Sequence, residues 1–113
     1  MNMKENTTEM LTRKFYACRK LLSAIGDNTR QAIIAALAEN GFSGGLRVGE
    51  ITTKTRLSRP AISHHLKILL DAEVIGVQPK GAMNFYFLRL EGEWQTLVEL
   101  INQIEKLRTE CCD

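Results

Sequence analysis

The chain has 113 residues, enough for one hydrophobic core and too few for a catalytic domain beside a regulatory one. Hydrophobic residues at 44% and charged residues at 25% are ordinary globular proportions, so the composition excludes a disordered chain, and no apolar run is long enough to span a bilayer. The net charge of +2 is unevenly spread, at +3 over residues 1–25, −1 over 26–45, +4 over 46–67, 0 over 68–90 and −4 over 91–113. The central segment sets five Lys or Arg against one Glu, the footprint of a nucleic-acid surface but also of a merely solvated face. Met1 to Glu9 is polar and lacks the apolar region of a secretory signal, so a cytoplasmic location is expected. Cys18, Cys111 and Cys112 are an odd number of cysteines in such a chain, which argues against a disulfide framework.

Leu11, Phe15, Cys18, Leu22 and Ile25 recur at alternating steps of four and three, which predicts one helix over 8–25. Asp27 is placed to cap a second helix over Asn28 to Glu39, with Ala32, Ile33, Ala36 and Leu37 inward. Gly41 to Gly45 reads as a loop, and Leu46 to Thr55 as a short helix with Val48, Ile51 and Thr52 inward. Ser58 is a suitable N-cap for a helix over 59–72, and Pro60 fits its first turn because the amide it lacks would have no intrahelical partner there. The period then changes to two, so Val74 to Pro79 and Ala82 to Leu88 predict a β-hairpin turning at Lys80 and Gly81. Glu93 to Arg108 returns to helical spacing. The expected architecture is mainly α with a β-hairpin, in a single domain over 1–113: four helices, a two-stranded wing and a C-terminal helix.

That last helix is broadly apolar. Leu97, Leu100, Ile104, Leu107 and Cys111 form one stripe, and Trp94, Val98 and Ile101 an adjoining one. So wide a face can cover its own core and a second copy of the chain. A homodimer is therefore expected through the helices over 8–25 and 93–110, with Leu11, Phe15, Cys18, Leu22, Leu97, Leu100, Ile104 and Leu107 at the interface. A broad core helix in a monomer is the alternative.

Two short helices with a tight turn, followed by a hairpin, suggest a helix-turn-helix with a wing. At 100° per residue, Leu66, Leu69 and Leu70 fall near Ile62 on one side of the helix over 59–72. Ser63, Lys67, Pro60 and His64 fall on the other. Ser and His can read base edges, Lys67 can neutralise a phosphate, and Ala61 and Pro60 allow close approach. Arg56 and Arg59 lie at the helix start, where a major-groove helix makes its contacts. His65 borders the apolar side and reads as a half-buried structural histidine bonded to backbone. Neighbouring histidines project about 100° apart on a helix, so His64 and His65 do not form a metal pair.

At these residues the chain resembles the ArsR/SmtB family of winged-helix repressors. The resemblance is carried by Gly26-Asp27-Asn28-Thr29-Arg30, by Leu46-Arg47-Val48-Gly49-Glu50-Ile51, and by Leu57-Ser58-Arg59-Pro60-Ala61-Ile62-Ser63-His64-His65-Leu66-Lys67-Ile68-Leu69. Gly81 and Phe85-Tyr86-Phe87-Leu88 match its wing. It covers roughly residues 20–108 and implies a homodimer on operator DNA. It also implies DNA contacts from Ser58, Arg59, Ala61, Ser63, His64 and Lys67, with Lys80 on the wing. Two departures accompany it: Arg47 and Gly49 stand where metal-sensing members often carry Cys-x-Cys, and Glu93 to Arg108 has no histidine where other members place ligands. The Gly41 to Gly45 loop also looks longer than the family's.

Two roles stand open for the cysteines. Cys18 and Cys111 continue apolar stripes, where a cysteine reads as a small buried hydrophobe, and Cys111 and Cys112 near a chain end read equally as an inert exposed pair. Alternatively Cys18, Cys111 and Cys112 meet at a dimer interface as a thiolate site for a soft metal(loid) ion such as arsenite, or as a redox switch. No Gly-rich phosphate loop or pocketed carboxylate pair points to an enzyme. The expected function is a dimeric, sequence-specific repressor binding an inverted-repeat operator in double-stranded DNA, with no membrane partner. A winged-helix protein-interaction module is the alternative, because Lys80 is the one charge between Val74 and Leu88.

Overall fold

Short polar side chains start the helices where the sequence places them. The computed structural model describes residues 6–41 and 44–111, Cys111 through its backbone alone. The first helix, α1 (Thr7–Ala17), begins at Asn6, whose side chain accepts from the backbone N–H of Glu9 at 2.7 Å. After α2 (Arg19–Ile25), Asp27 caps α3 (Asn28–Glu39) by accepting from the N–H of Arg30 at 3.0 Å. Ser58 does the same for α5 (Arg59–Asp71), accepting from Ala61 N–H at 3.4 Å. Each cap satisfies an amide that the helix itself leaves orphaned. Between them lies α4 (Val48–Thr55), whose Glu50 carboxylate turns back to accept from Arg47 N–H at 3.0 Å.

The helix expected over 8–25 is two helices. Cys18, at φ −112° and ψ 26°, leaves the helical region, and its N–H is shared between the carbonyls of Lys14 and Phe15. The break is held from a distant part of the chain: Glu93 Oε1 accepts the N–H of Leu21 in the first turn of α2 at 3.1 Å. No periodicity in residues 8–25 can show a partner 72 positions away.

The wing is an antiparallel pair, β1 (Ile75–Lys80) and β2 (Met83–Leu88), with Ile75 opposite Leu88 and Lys80 opposite Met83. Its turn is Gly81-Ala82, one residue later than expected. Gly81, at φ +63°, occupies the first central position, where two-residue hairpin turns of the II′ class need glycine. Leu46, expected to open a helix, instead forms an isolated bridge with Tyr86 through reciprocal hydrogen bonds of 2.8 Å. Gly45 makes this possible: it has φ +75°, and a Cβ there would lie 2.5 Å from the Tyr86 carbonyl oxygen. Phe42 and Ser43, within the expected loop, fall outside the described residues.

Leu21, Ile33, Leu37, Ile51, Ile62, Leu69 and Ile75 close the core, drawing from α2, α3, α4, α5 and β1. Each such burial is worth about 1.5–3 kcal/mol in transfer free energy. The inward residues expected for the second and third helices are confirmed, with Ile33, Ala36, Leu37 and Ile51 buried and Ala32, Val48 and Thr52 half-buried. The last helix, α6 (Glu93–Cys111), starts beside the α1–α2 junction and packs along α1, so the two run antiparallel. Among the described residues no helix is long and apolar enough to cross a membrane.

Candidate nucleic-acid interface

The helix-turn-helix is α4, a turn and α5, and backbone geometry makes the turn sharp. Arg56, the C-cap of α4, sits in the left-handed region at φ 62° and donates its N–H to Thr52 O at 2.7 Å. Leu57 and Ser58 then lead into α5, with Pro60 in its first turn. Ile62, Leu66 and Leu69 anchor α5 in the core. The opposite face presents Pro60, Ser63, His64 and Lys67 to solvent, as the helical projection predicts.

The expected contact residues divide into three groups. Ser63, His64 and Lys67 share one exposed face, where the His64 ring meets the His65 ring edge-on at 5.2 Å between centres. Arg56 and Arg59 are exposed at the N-terminal end, beside Ser58, whose hydroxyl oxygen already caps α5, and half-buried Ala61. Lys80 stands apart on the wing, its ammonium 5.3 Å from the Phe85 ring centre.

A cleft of about 710 Å³ separates α4 and the start of α5 from β2, lined by Arg47, Lys54 and Arg59 with Met83, Asn84 and Tyr86 among others. Arg47 and Lys54 were not among the expected contacts, though both lie in the basic segment 46–67. Each already has an acidic neighbour: Arg47 Nε lies 3.4 Å from Glu50, and Lys54 Nζ 2.7 Å from Glu39. The Lys54 ammonium holds the Glu39 carboxyl below its ordinary range, and the Arg47 N–H does the same for Glu50. Both pairs are exposed, so they temper the local positive potential and add little stability.

His65 is half-buried as expected, but its partner is a side chain and not backbone: Arg30 Nη1 lies 3.1 Å from His65 Nδ1. Asp27, in the same corner, has its carboxyl held low chiefly by the Arg30 backbone N–H, which outweighs the opposing cost of burial, with the Arg30 guanidinium charge adding.

The cysteines are not brought together within one chain. Cys18 is 0% exposed, and its thiol donates to the Lys14 carbonyl at 3.3 Å. Burial, reinforced by the Glu93 charge, raises its pKa and favours the unreactive thiol. Cys18 lies at the Glu93 end of α6, whereas Cys111 ends that helix, about 27 Å further on at 1.5 Å per residue. Cys112 and the Cys111 side chain lie outside the described residues. The residues present do not fit either of the family's marked metal sites, given Arg47, Gly49 and a histidine-free α6.

Comparison with known proteins agrees with this geometry. A family model described as bacterial regulatory protein, arsR family, matches residues 27–76. The chain is 31% identical to an HTH-type transcriptional regulator of Methanocaldococcus jannaschii, over 80% of this chain and 98% of the relative. It is 35% identical to the transcriptional repressor SdpR of Bacillus subtilis, over 76% of this chain and 91% of that one. The chain belongs to the ArsR family. An ArsR family transcriptional regulator of known structure superposes with a TM-score of 0.65 at 17% identity, over 93% of this chain and 95% of that one. A predicted DNA-binding transcriptional regulator from E. coli gives 0.63 at 27%, over 86% and 98%. This ArsR-family chain is thus a winged-helix, DNA-binding transcriptional regulator and not an enzyme. In that fold α4 and α5 are the helix-turn-helix and β1–β2 the wing.

Proposed function

We propose that the chain is a homodimeric repressor that reads an inverted-repeat operator through α5. The exposed face of Ser63, His64 and Lys67, backed by the buried Ile62, Leu66 and Leu69, carries this reading. Ser63 and His64 are the base readers, while Lys67, Arg56 and Arg59 neutralise phosphates, with Lys80 reaching from the wing.

The dimer is supported by an apolar face on α1 and α6. Phe15 is 44% exposed, Tyr16 64%, Val98 39%, Ile101 55% and Ile104 42%. This face differs from the expected one, because Cys18 and Leu100 are enclosed by their own chain at 0% and 1% exposure. Leu11, Leu22, Leu97 and Leu107 are half-buried, Leu97 against the chain's own core. Two copies joined there present two recognition helices, so the half-sites fall about one helical turn, roughly 10 base pairs, or a multiple of it apart.

The test is fluorescence anisotropy on a duplex from the gene's own upstream region against a random duplex. Binding of the first is expected to be tight and to weaken steeply with salt. Lys67→Ala lowers affinity for both duplexes and reduces the log–log salt slope by about one, while Ser63→Ala or His64→Ala narrows the gap between them. Equal losses on both duplexes for all three variants contradict the assignment, and absence of salt-sensitive binding favours the protein-interaction module. Ile101→Asp is expected to shift the chain to monomer in sedimentation and to weaken operator binding with it.

Release by arsenite or by thiol oxidation is a narrower reading. It is favoured by 33% identity to the arsenical resistance operon repressor of Bacillus subtilis, over 79% of this chain and 78% of that one. The burial of Cys18 directs that reading to Cys111 and Cys112. Arsenite added to the complex tests it, with a Cys111→Ser, Cys112→Ser double variant expected to hold DNA regardless.

A further inference from the structure

The recognition helix is gripped from behind by one guanidinium. Arg30, in the first turn of α3, donates from Nε to the Ala24 carbonyl at 2.5 Å and from Nη2 to the Ser23 carbonyl at 3.4 Å. Both carbonyls lie at the C-terminal end of α2, where backbone acceptors run short of intrahelical donors, and the Ser23 carbonyl also accepts the Gly26 N–H at 3.4 Å. The remaining terminal nitrogen, Nη1, reaches across to His65 Nδ1 on α5 at 3.1 Å. A guanidinium carries donors only, so Nδ1 is the acceptor and the ring proton sits on Nε2. The Asp27 cap on the Arg30 N–H fixes the turn from which this side chain projects.

The contacts form a continuous link from the apolar helices to the DNA-facing one. Glu93 ties α6 to the start of α2, Arg30 ties the end of α2 to His65, and His65 stands beside His64 on α5. The apolar anchors Ile62, Leu66 and Leu69 set how deeply α5 sits, but hydrophobic contact is non-directional. A hydrogen bond on the flank of the helix sets its rotation about its own axis. With side-chain tips about 6 Å from that axis, a rotation of about 10° moves them about 1 Å. Such a shift spoils a hydrogen bond to a base edge while leaving an ammonium near its phosphate.

We propose that Arg30 and His65 are a positioning pair: without touching DNA, they set the rotation of α5 and thereby its discrimination between sequences. This inference rests on the operator-binding reading above. The test separates the two nitrogens of the ring. An Asn amide oxygen at position 65 falls near the place of Nδ1, whereas a Gln amide oxygen falls near that of Nε2. Duplexes are first selected from a random pool by the wild-type protein, and affinities for selected and random duplexes are then compared. His65→Asn is expected to keep the wild-type ratio within about twofold, and His65→Gln and Arg30→Lys to lower it about tenfold with random-duplex affinity unchanged. Equal ratios for the Asn and Gln variants overturn the inference. So does a loss on both duplexes in proportion to the unfolded fraction, since that is the mark of a merely structural role. A wild-type chain that selects nothing from the pool removes the operator reading itself and the inference with it.

Discussion

Replacing Gly45 with Ala tests how the wing is tied to the helix-turn-helix, because Gly44 provides a matched control. Both glycines have positive φ, 88° at Gly44 and 75° at Gly45, so a side chain at either position meets the left-handed strain of about 1–2 kcal/mol. They differ in their surroundings. Among the described residues a Cβ at Gly44 meets nothing within 4 Å, whereas one at Gly45 lies 2.5 Å from the Tyr86 carbonyl oxygen and 3.1 Å from its carbon. These are backbone atoms and cannot swing away, so the bridge itself must open. Its two hydrogen bonds, Leu46 N–H to Tyr86 O and Tyr86 N–H to Leu46 O, are each 2.8 Å and net about 0.5–1.5 kcal/mol. Gly44→Ala is therefore expected to cost about 1–2 kcal/mol and Gly45→Ala about 2–5 kcal/mol. Urea denaturation at constant m measures the difference, and hydrogen exchange at the Leu46 and Tyr86 amides locates it. Equal destabilisation by the two variants, with both amides still protected in Gly45→Ala, would refute the steric argument.

Other consequences follow from single residues. Asp27 has a folded-state pKa below the ordinary carboxylate value of about 3.9, so its stabilising effect is present above that value and is lost as pH falls through the lowered one. Asp27→Asn is expected to keep the cap but flatten the acid limb of a Tm-against-pH curve, whereas Asp27→Ala lowers Tm across the neutral range as well. Arg56 holds a left-handed conformation that glycine adopts without strain, so Arg56→Gly is expected to leave Tm unchanged or raised by about 0.5–1 kcal/mol equivalent while weakening DNA binding in anisotropy. In a Cys111→Ser, Cys112→Ser variant the remaining thiol, Cys18, is expected to resist Ellman's reagent in native buffer and to react fully in urea; prompt native reaction would contradict its burial.

Much of the fold was legible because its signals are local. The caps at Asp27 and Ser58, the proline in the first turn of α5 and the change of period at Val74 each concern neighbours within a few residues, and helix bounds built on them agree with the structure. The outward face of α5 was legible for the same reason, since an amphipathic helix projects its side chains by arithmetic alone. Reading stopped where a partner came from elsewhere in the chain. The kink at Cys18 depends on Glu93, and the extended state of Leu46 depends on Tyr86.

The same division runs through the site. Composition and spacing were sufficient to choose Ser63, His64 and Lys67 as the solvent-facing set and to mark the segment 46–67 as basic. They could not show that Arg47 and Lys54 lie against carboxylates, that His65 is held by Arg30, or that Cys18 and Leu100 are covered by their own chain. Helical periodicity reports which side of a helix is apolar, and it is silent on whether that side meets the same chain or another. Only the packing of α6 against α1 and α2 decided that Leu100 faces inward while Phe15, Ile101 and Ile104 remain outside. Residues a turn apart constrain each other through the backbone, but residues 35 or 72 positions apart are brought together only by the tertiary fold.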